Sequence, residues 1–217
     1  DEIITVSHSI AREFEKVSKK SVHVIRNVPK LRSRNIVKPK LEEVSIIYQG
    51  ALNEGRCIEH YILAMRNLDA RLYIAGEGDL SAHFREVVQN ESLQEKVIFL
   101  GKLSPEALWE ETQKAHLGLN VLEHRGQSYF YSLSNKCFDY IQAGIPQLCS
   151  EFPEYVHLND RWNAITFAKP EVKDIESKVK LLINDRDLYK RLSDNAEIAS
   201  KQLHWSNEEE KLKEIYG

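Results

Sequence analysis

The fold of this chain is decided by residues 117–149, which read LGLNVLEHRGQSYFYSLSNKCFDYIQAGIPQLC. Two short apolar segments, Leu117–Val121 and Pro146–Cys149, show little alternation between apolar and polar residues, which is typical of strands buried on both faces. Between them, Ser134–Ala143 is predicted to be a helix that stops at Gly144, a residue favoured just past helix ends. A buried strand, a helix and a second buried strand in this order indicate a parallel β–α–β unit.

The same alternation of strand and helix continues on both sides of this unit. The other predicted strands are Ile3–Val6, Val22–Ile25, Ser45–Gln49, Arg71–Ala75, Val97–Leu100 and Ala164–Phe167. The other predicted helices are Ser9–Ser18, Glu54–Asn67, Leu80–Gln89, Pro105–Lys114, Lys173–Asn184, Leu188–Leu203 and Asn207–Ile215. This alternation predicts an α/β fold with a doubly wound, Rossmann-like parallel sheet flanked by helices.

Composition narrows the class of protein. The chain has 217 residues, of which 42% are hydrophobic and 29% are charged, as expected for a well-packed domain. A net charge of -3 gives no general attraction to nucleic acid. Three cysteines without a CxxC pair favour a reducing, cytoplasmic compartment. No apolar run approaches the roughly 20 residues that span a bilayer, and no signal peptide is recognisable.

We expect four parts along the chain. Residues 1–30 form a strand–helix–strand piece too small to fold alone, and residues 31–43 form a charged linker without a clear period. Residues 44–203 contain the main sheet, and residues 204–217 add a C-terminal helix. Because the chain starts at Asp1 and a strand is predicted from the third residue, we expect it to be cut from a longer protein.

Glycine-rich segments follow three of the predicted strands. In Tyr48–Arg56 (YQGALNEGR), Gly50 allows close backbone approach and Arg56 adds a cation at the predicted helix start. This segment is either a diphosphate cradle or an ordinary turn with a surface arginine. Ala75–Asp79 (AGEGD) lacks the third glycine of the dinucleotide-binding fingerprint, which favours a tight turn. The loop at Phe99–Lys102 could border a base.

The most specific segment is Tyr131–Pro146. Ser134 and Asn135 stand at the start of the predicted helix, where free N–H groups favour phosphate. Lys136 can neutralise phosphate charge, and Asp139, at i+3 on the same face, can accept both hydroxyls of a ribose. The alternative is a surface Lys–Asp pair.

Other chemistries lack their motifs. The eight histidines show no HExxH spacing, so no metal site is expected. The sequence has no GxSxG element of hydrolases and no GxxxxGK[ST] loop of NTPases.

Taken in order, these segments resemble the family 4 (group 1) glycosyltransferases, whose GT-B architecture has two facing Rossmann-like domains. Residues 1–7 and 24–29 are similar to the segment that closes the N-terminal domain. Residues 47–56, 72–78 and 97–101 are similar to the strand ends of the C-terminal, donor-binding domain. Residues 132–146 are similar to the E-x7-E helix of the family and the A-x-G-x-P turn after it.

The resemblance implies transfer of a sugar from a nucleoside diphosphate to an acceptor hydroxyl with retained configuration and without a metal. Arg56 takes the position of the diphosphate-binding lysine, and Asp139 that of the second glutamate, which binds ribose. Gly50, Ser134 and Asn135 would offer backbone to the diphosphate, with Lys136 as a further phosphate ligand. The residues expected to border the base are Phe99, Leu100, Gly101 and Lys102.

Three positions depart from the family pattern. Ala51 stands where many relatives have a second phosphate-binding arginine, and Cys57 replaces a common glycine. Tyr131 stands where the first glutamate of E-x7-E would lie, so no catalytic residue is assigned. Either Tyr131 or Glu123 could contact the transferred sugar.

The resemblance also implies partners. We expect a nucleotide-sugar donor, a missing N-terminal acceptor domain and a carbohydrate or lipid-linked acceptor, with no nucleic acid. Any membrane association, at the inner face, would come through the full-length protein, and the isolated chain should be inactive. Two alternatives remain: a non-catalytic scaffolding module with a degenerate nucleotide-sugar site, and an epimerase of UDP-sugars, for which no convincing set of acidic and histidine residues is found.

Overall fold

A six-stranded parallel sheet forms the centre of the computed structural model, which describes residues 2–18, 20–34 and 44–217. The strands in these residues are β1 (Ile3–Thr5), β2 (Val22–Val24), β3 (Ser45–Gln49), β4 (Arg71–Ala75), β5 (Val97–Gly101), β6 (Leu117–Asn120), β7 (Gln147–Cys149) and β8 (Ile165–Phe167). The central sheet has the order β5–β4–β3–β6–β7–β8, and every neighbouring pair is parallel. The predicted doubly wound sheet is confirmed.

Helices cover both faces of this sheet. They are α1 (His8–Ser18), α2 (Ile58–Ala64), α3 (Ser81–Asn90), α4 (Pro105–Lys114), α5 (Gln127–Phe130), α6 (Asn135–Ala143), α7 (Pro153–Trp162), α8 (Val172–Asn184), α9 (Arg186–Ser200) and α10 (Trp205–Tyr216). A short 3-10 turn, Met65–Asn67, extends α2. Ile46 and Tyr48 of β3 pack with α2, whereas Ile47 packs with α6, so these two helices lie on opposite faces. None of the described helices is long and apolar enough to cross a membrane.

Two helix boundaries follow the expected signals. Ser104 caps α4, because its hydroxyl accepts a hydrogen bond from the N–H of Ala107 at 3.2 Å, and Pro105 occupies the first helical position. Gly144 ends α6 in the left-handed conformation with φ 63°. Both predictions from the sequence are confirmed.

The predicted start of α2 is wrong by four residues. A helix was expected from Glu54, but the structure begins it at Ile58. Gly55 (φ 76°) and Cys57 (φ 55°) both adopt positive φ, which a right-handed helix cannot accommodate. Arg56 therefore lies in a loop before the helix instead of in its first turn. The helices α5 and α7 were not predicted.

The first strands form a separate two-stranded parallel sheet that packs beside the main one. The carboxylate of Glu154, in α7, accepts hydrogen bonds from the N–H groups of His8 (3.3 Å) and Ser9 (2.6 Å) at the start of α1. The N–H of Arg26 donates to the buried carboxylate of Glu208 at 2.9 Å. Residues 35–43 of the predicted linker lie outside the described residues, whereas Arg34 bonds to the carbonyl of Gln142.

Candidate functional site

The candidate site lies at the carboxyl ends of β3 and β6. The strand order runs outward in opposite directions from this pair, and the helices after the two strands cover opposite faces. Such a point opens a crevice between the two loops, and α/β sheets bind ligands there. The loops after β3 and β6 and the start of α6 therefore form the site.

Glycines let the loops of β3, β4 and β5 pack against one another. The N–H of Gly50 donates to the carbonyl of Ala75 at 2.9 Å, and the N–H of Gly76 donates to that of Gly101 at 2.8 Å. Gly76 has φ 143°, and a Cβ at this position would overlap the carbonyl of Gly50. A Cβ at Gly78 would lie 2.6 Å from the backbone nitrogen of Leu52. Both glycines of the Ala75–Asp79 segment thus serve loop packing, in agreement with a tight turn.

A buried lysine lies beside Gly50, and an arginine lies near enough to act on its charge. Lys136 is 8% exposed, its Nζ lies 4.2 Å from the ring centroid of Tyr48, and a Cβ at Gly50 would be 3.4 Å from this Nζ. Burial, followed by the positive charge of Arg56, lowers the pKa of Lys136 to about 7. Arg56 stacks on the ring of Tyr129 at 5.0 Å, and its buried Nε has no hydrogen-bond partner in the described chain.

Neither cation forms an ion pair with a carboxylate of the described residues, in contrast to the exposed cations nearby. Arg125, for example, pairs with both Glu54 and Glu123. Burying charge without a partner is unfavourable, and two neighbouring positive charges add repulsion. A bound anion would relieve both costs, so the site is electrostatically suited to phosphate.

The start of α6 adds hydrogen-bond donors to this cation pair. The N–H groups of Asn135 and Lys136 are the first two of the helix and have no partner among the described residues, as anion-binding helix ends require. The N–H of Ser134 differs, because it donates to the hydroxyl of Tyr155 at 3.1 Å. The Ser134 hydroxyl donates to the side chain of Asn120 at 2.9 Å, which fixes the helix start to the end of β6.

Asp139 lies one turn along α6 and is hydrogen-bonded to Gln49, the last residue of β3. Its Oδ2 accepts a hydrogen bond from Nε2 of Gln49 at 2.7 Å, and Oε1 of Gln49 accepts one from the hydroxyl of Thr112 at 2.9 Å. Burial raises the pKa of Asp139 to about 6, against the opposing effects of Arg32 and Gln49. The carboxylate is thus anchored through one oxygen and can accept hydroxyl groups through the other.

The residues predicted to border the base lie farther along the sheet edge, at the end of β5. Phe99 is covered by the guanidinium of Arg85, 4.4 Å from the ring centroid, and Arg85 pairs with Glu77 at 2.5 Å. Lys102 is exposed. A base placed here would lie against Leu100, Gly101 and the Glu77–Arg85 pair, and this assignment stays a prediction.

The two possible sugar contacts lie on different sides of the site. The N–H of Glu123 donates to the carbonyl of Gly55 at 3.0 Å, and its carboxylate pairs with Arg125 at 2.9 Å, close to the loop of Arg56. Tyr131 ends α5, and its carbonyl accepts a hydrogen bond from the hydroxyl of Ser7, next to α1. Whether either residue contacts a sugar stays a prediction.

Several residues predicted to bind the diphosphate or the ribose lie near the end of β3. Lys136 packs on Tyr48 and Gly50, Arg56 lies close enough to affect its pKa, and Asp139 is bound to Gln49. Sequence reasoning missed Gln49, Thr112 and Tyr129, which hold these side chains. The signal for Gln49 was present, since it is the polar last residue of the strand SIIYQ.

Comparison with known proteins agrees with this fold. It is that of a Rossmann-like domain of the GT-B kind. The family described as "Glycosyl transferases group 1" matches residues 29–198, most of the chain. The chain therefore belongs to the group 1 glycosyltransferases. No curated protein sequence matched it.

Several solved structures share the fold at low sequence identity. Sucrose-phosphate synthase from Thermosynechococcus elongatus has a TM-score of 0.79 at 17% identity, and the match covers 100% of this chain and 57% of the synthase. The HepE protein of Anabaena, solved with UDP, has a TM-score of 0.80 at 12% identity, covering 98% of this chain and 62% of HepE. A TarM variant of S. aureus, solved with fondaparinux, α-GlcNAc-glycerol and UDP, has a TM-score of 0.77 at 13% identity. The match covers 100% of this chain and 44% of TarM. The chain thus spans about two fifths to three fifths of these proteins.

Proposed function

We propose that this chain is the donor-binding half of a retaining glycosyltransferase and holds a nucleoside-diphosphate sugar at the carboxyl end of β3. One observation carries the proposal: the buried Lys136 and the half-buried Arg56, which lies close enough to lower the pKa of Lys136, have no ion-pair partner in the described chain. A diphosphate would supply the missing negative charge. Since HepE and TarM were solved with UDP, UDP-sugars are the first donors to test.

The donor fits the site in one direction. The diphosphate lies between Lys136, Arg56 and the free N–H groups at the start of α6, beside Gly50. The ribose hydroxyls reach Asp139, and the base extends toward residues 99–102. The sugar then points toward the loop after β6, where Glu123 and Tyr131 are the residues able to contact it.

The chemistry of transfer gives the cations their role. Breaking the bond between the anomeric carbon and the diphosphate oxygen leaves negative charge on the departing diphosphate. Lys136, Arg56 and the helix N–H groups stabilise that charge, and groups already in place do so without reorganisation. Nucleoside diphosphate, glycosylated acceptor and one proton are the products. With two side-chain cations present, the reaction needs no metal.

The acceptor, a carbohydrate or a lipid-linked hydroxyl, binds to a second domain in this proposal. Residues 1–30 close that domain, and residues 44–203 with the final helix form the donor domain in the cytoplasm. The described chain alone would bind donor without transferring the sugar, because catalysis requires donor and acceptor to be held together.

Calorimetry with UDP, GDP and ADP tests donor binding. We expect K136A and R56A each to weaken binding of the preferred nucleotide about tenfold or more, the scale of one charge-assisted contact. Matched controls are K190A and R66A, which remove exposed cations that pair with Asp194 and Glu91. The proposal fails if none of the three nucleotides binds up to millimolar concentration, or if the control variants weaken binding as strongly.

A non-catalytic binding module is the second candidate. The observation that favours it is Tyr131, which replaces the first carboxylate of the family helix and whose backbone contacts the N-terminal piece. In that case the full-length protein would bind the nucleotide sugar with similar affinity but transfer no sugar to any acceptor. An assay of transfer with the full-length protein distinguishes the two functions.

A further inference from the structure

A second cluster of side chains lies behind the loop that carries Arg56. Its members are Cys57, His60 and Glu123. The proposed donor binding does not use them as a group. Their candidate ligand atoms, the sulfur of Cys57, a ring nitrogen of His60 and a carboxylate oxygen of Glu123, all lie within 4.8 Å of one another. The sequence did not predict this cluster, because Glu123 is distant along the chain from the other two residues.

The backbone fixes this arrangement. Cys57 adopts φ 55° immediately before α2, and His60 lies in the first turn of that helix. Glu123 follows β6 and is tied to the same loop, since its N–H donates to the carbonyl of Gly55 at 3.0 Å. The start of α2 with the residue before it and the loop after β6 are therefore held together by a main-chain hydrogen bond, independently of the three side chains.

Two of the three side chains have no competing hydrogen bond among the described residues. Cys57 is 4% exposed, and the side chains of Cys57 and His60 make no hydrogen bond to any residue that the structure describes. Glu123 pairs with Arg125, which is exposed and pairs with Glu54 as well. Exposed ion pairs contribute little free energy, so Glu123 can give up one oxygen at small cost.

We propose that Cys57, His60 and Glu123 bind one divalent cation of the zinc class. Sulfur, imidazole nitrogen and carboxylate oxygen are the ligands that zinc takes in proteins, whereas magnesium and calcium select oxygen. Ligand bonds of about 2.0 to 2.3 Å place tetrahedral ligand atoms roughly 3.5 Å apart, so small side-chain rotations close the cluster. Three protein ligands leave the fourth position to water.

Binding replaces a proton by the metal. The thiol of Cys57 and the cation M²⁺ give a thiolate–metal bond and release one H⁺, without any change of oxidation state. The cation links the loop that carries Arg56 to the residue after β6. The metal takes no part in the proposed sugar transfer, although Glu123 is also one of the two candidate sugar contacts. The metal site does not depend on the proposed function.

Cobalt(II) is the probe, because its spectrum reports both thiolate ligation and geometry. Titration of the metal-free purified chain is expected to give a 1:1 complex with a sulfur-to-cobalt charge-transfer band and the intense visible bands of tetrahedral cobalt, and Zn²⁺ should abolish both. We expect C57S to lose the charge-transfer band, and H60Q and E123Q to bind at least tenfold more weakly. The control H83Q removes a histidine that pairs with Glu59 outside the cluster.

Two results would overturn the proposal. One is a wild-type spectrum without the thiolate band, a result that does not depend on the folding of any variant. The other is a band that persists in C57S, or cobalt affinity unchanged in H60Q and E123Q. Circular dichroism of each variant checks its fold. Because no nucleotide is present in the titration, the outcome is independent of donor binding.

Discussion

Donor binding should depend on pH because Lys136 is buried beside Arg56. Burial, and secondly the charge of Arg56, lowers the pKa of Lys136 to about 7. A diphosphate in contact with the ammonium favours the charged form and raises this pKa again. Above pH 7 the free protein has lost the proton that the complex holds, so binding must take up a proton and the affinity falls as pH rises.

The size of this effect follows from the pKa of the free protein. Between pH 7 and pH 9 the dissociation constant should increase by about 50-fold, which corresponds to about 2.3 kcal/mol. A second loss is expected on the acid side. The pKa of Asp139 is raised to about 6 by burial, and below that pH the protonated carboxyl accepts fewer hydrogen bonds from the ribose. Affinity is therefore greatest between pH 6 and 7.

Calorimetry from pH 5 to 9 measures this profile, with a UDP-sugar as ligand because its diphosphate diester has no group that titrates in this range. The variant K136R keeps a positive charge at every pH, so the loss of affinity above pH 7 should disappear while the acid side remains. K190R, at an exposed lysine of α9, should behave as wild type. Wild-type affinity that stays constant from pH 7 to 9, or a K136R profile that still falls, would refute the reasoning.

Three further predictions test separate parts of the structure. G76A should lower the free energy of unfolding in urea by about 2 to 4 kcal/mol, because its methyl group would overlap the carbonyl of Gly50. G126A has open space around it and should lower this free energy by only about 1 kcal/mol, through backbone strain alone. Equal losses in the two variants would contradict the packing argument. D139N should bind a UDP-sugar about tenfold more weakly than the wild type does. The variant should bind the 2′-deoxy donor as tightly as the ribose donor. If D139N bound the 2′-deoxy donor more weakly than the ribose donor, Asp139 would be excluded as the ribose ligand. E154L removes both acceptors at the start of α1 and should destabilise the chain by about 2 kcal/mol, with faster amide exchange in α1 and unchanged nucleotide affinity; unchanged exchange would show that Glu154 does not hold this segment.

Strand positions could be predicted from the sequence because burial on both faces leaves a strong apolar signal. Ser45–Gln49 and Arg71–Ala75 were predicted residue for residue. The start of α2 could not be predicted, because nothing in the sequence pattern indicates that Cys57, a non-glycine residue, takes positive φ. The helix α7 was missed although Pro153 occupies its first position, because no strong apolar period follows the proline.

The charged side chains of the candidate site were singled out from the sequence, but the residues that hold them were not. Arg56 follows Gly55 and Lys136 stands at a helix start, so short segments carry the signal. The bonds of Gln49 to Thr112 and to Asp139 join residues 63 and 90 positions apart. Such contacts depend on how the helices pack on the sheet, which no local pattern encodes. The same reason hides the cluster of Cys57, His60 and Glu123.

The most direct test of the account is amide chemical-shift mapping of the isotope-labelled chain during titration with UDP. We predict saturable shifts of the backbone amides of Gly50, Arg56, Asn135 and Lys136, with small changes in α8 and α9. Shifts confined to other surfaces, or no saturable change up to millimolar UDP, GDP or ADP, would contradict a diphosphate site at the carboxyl end of β3.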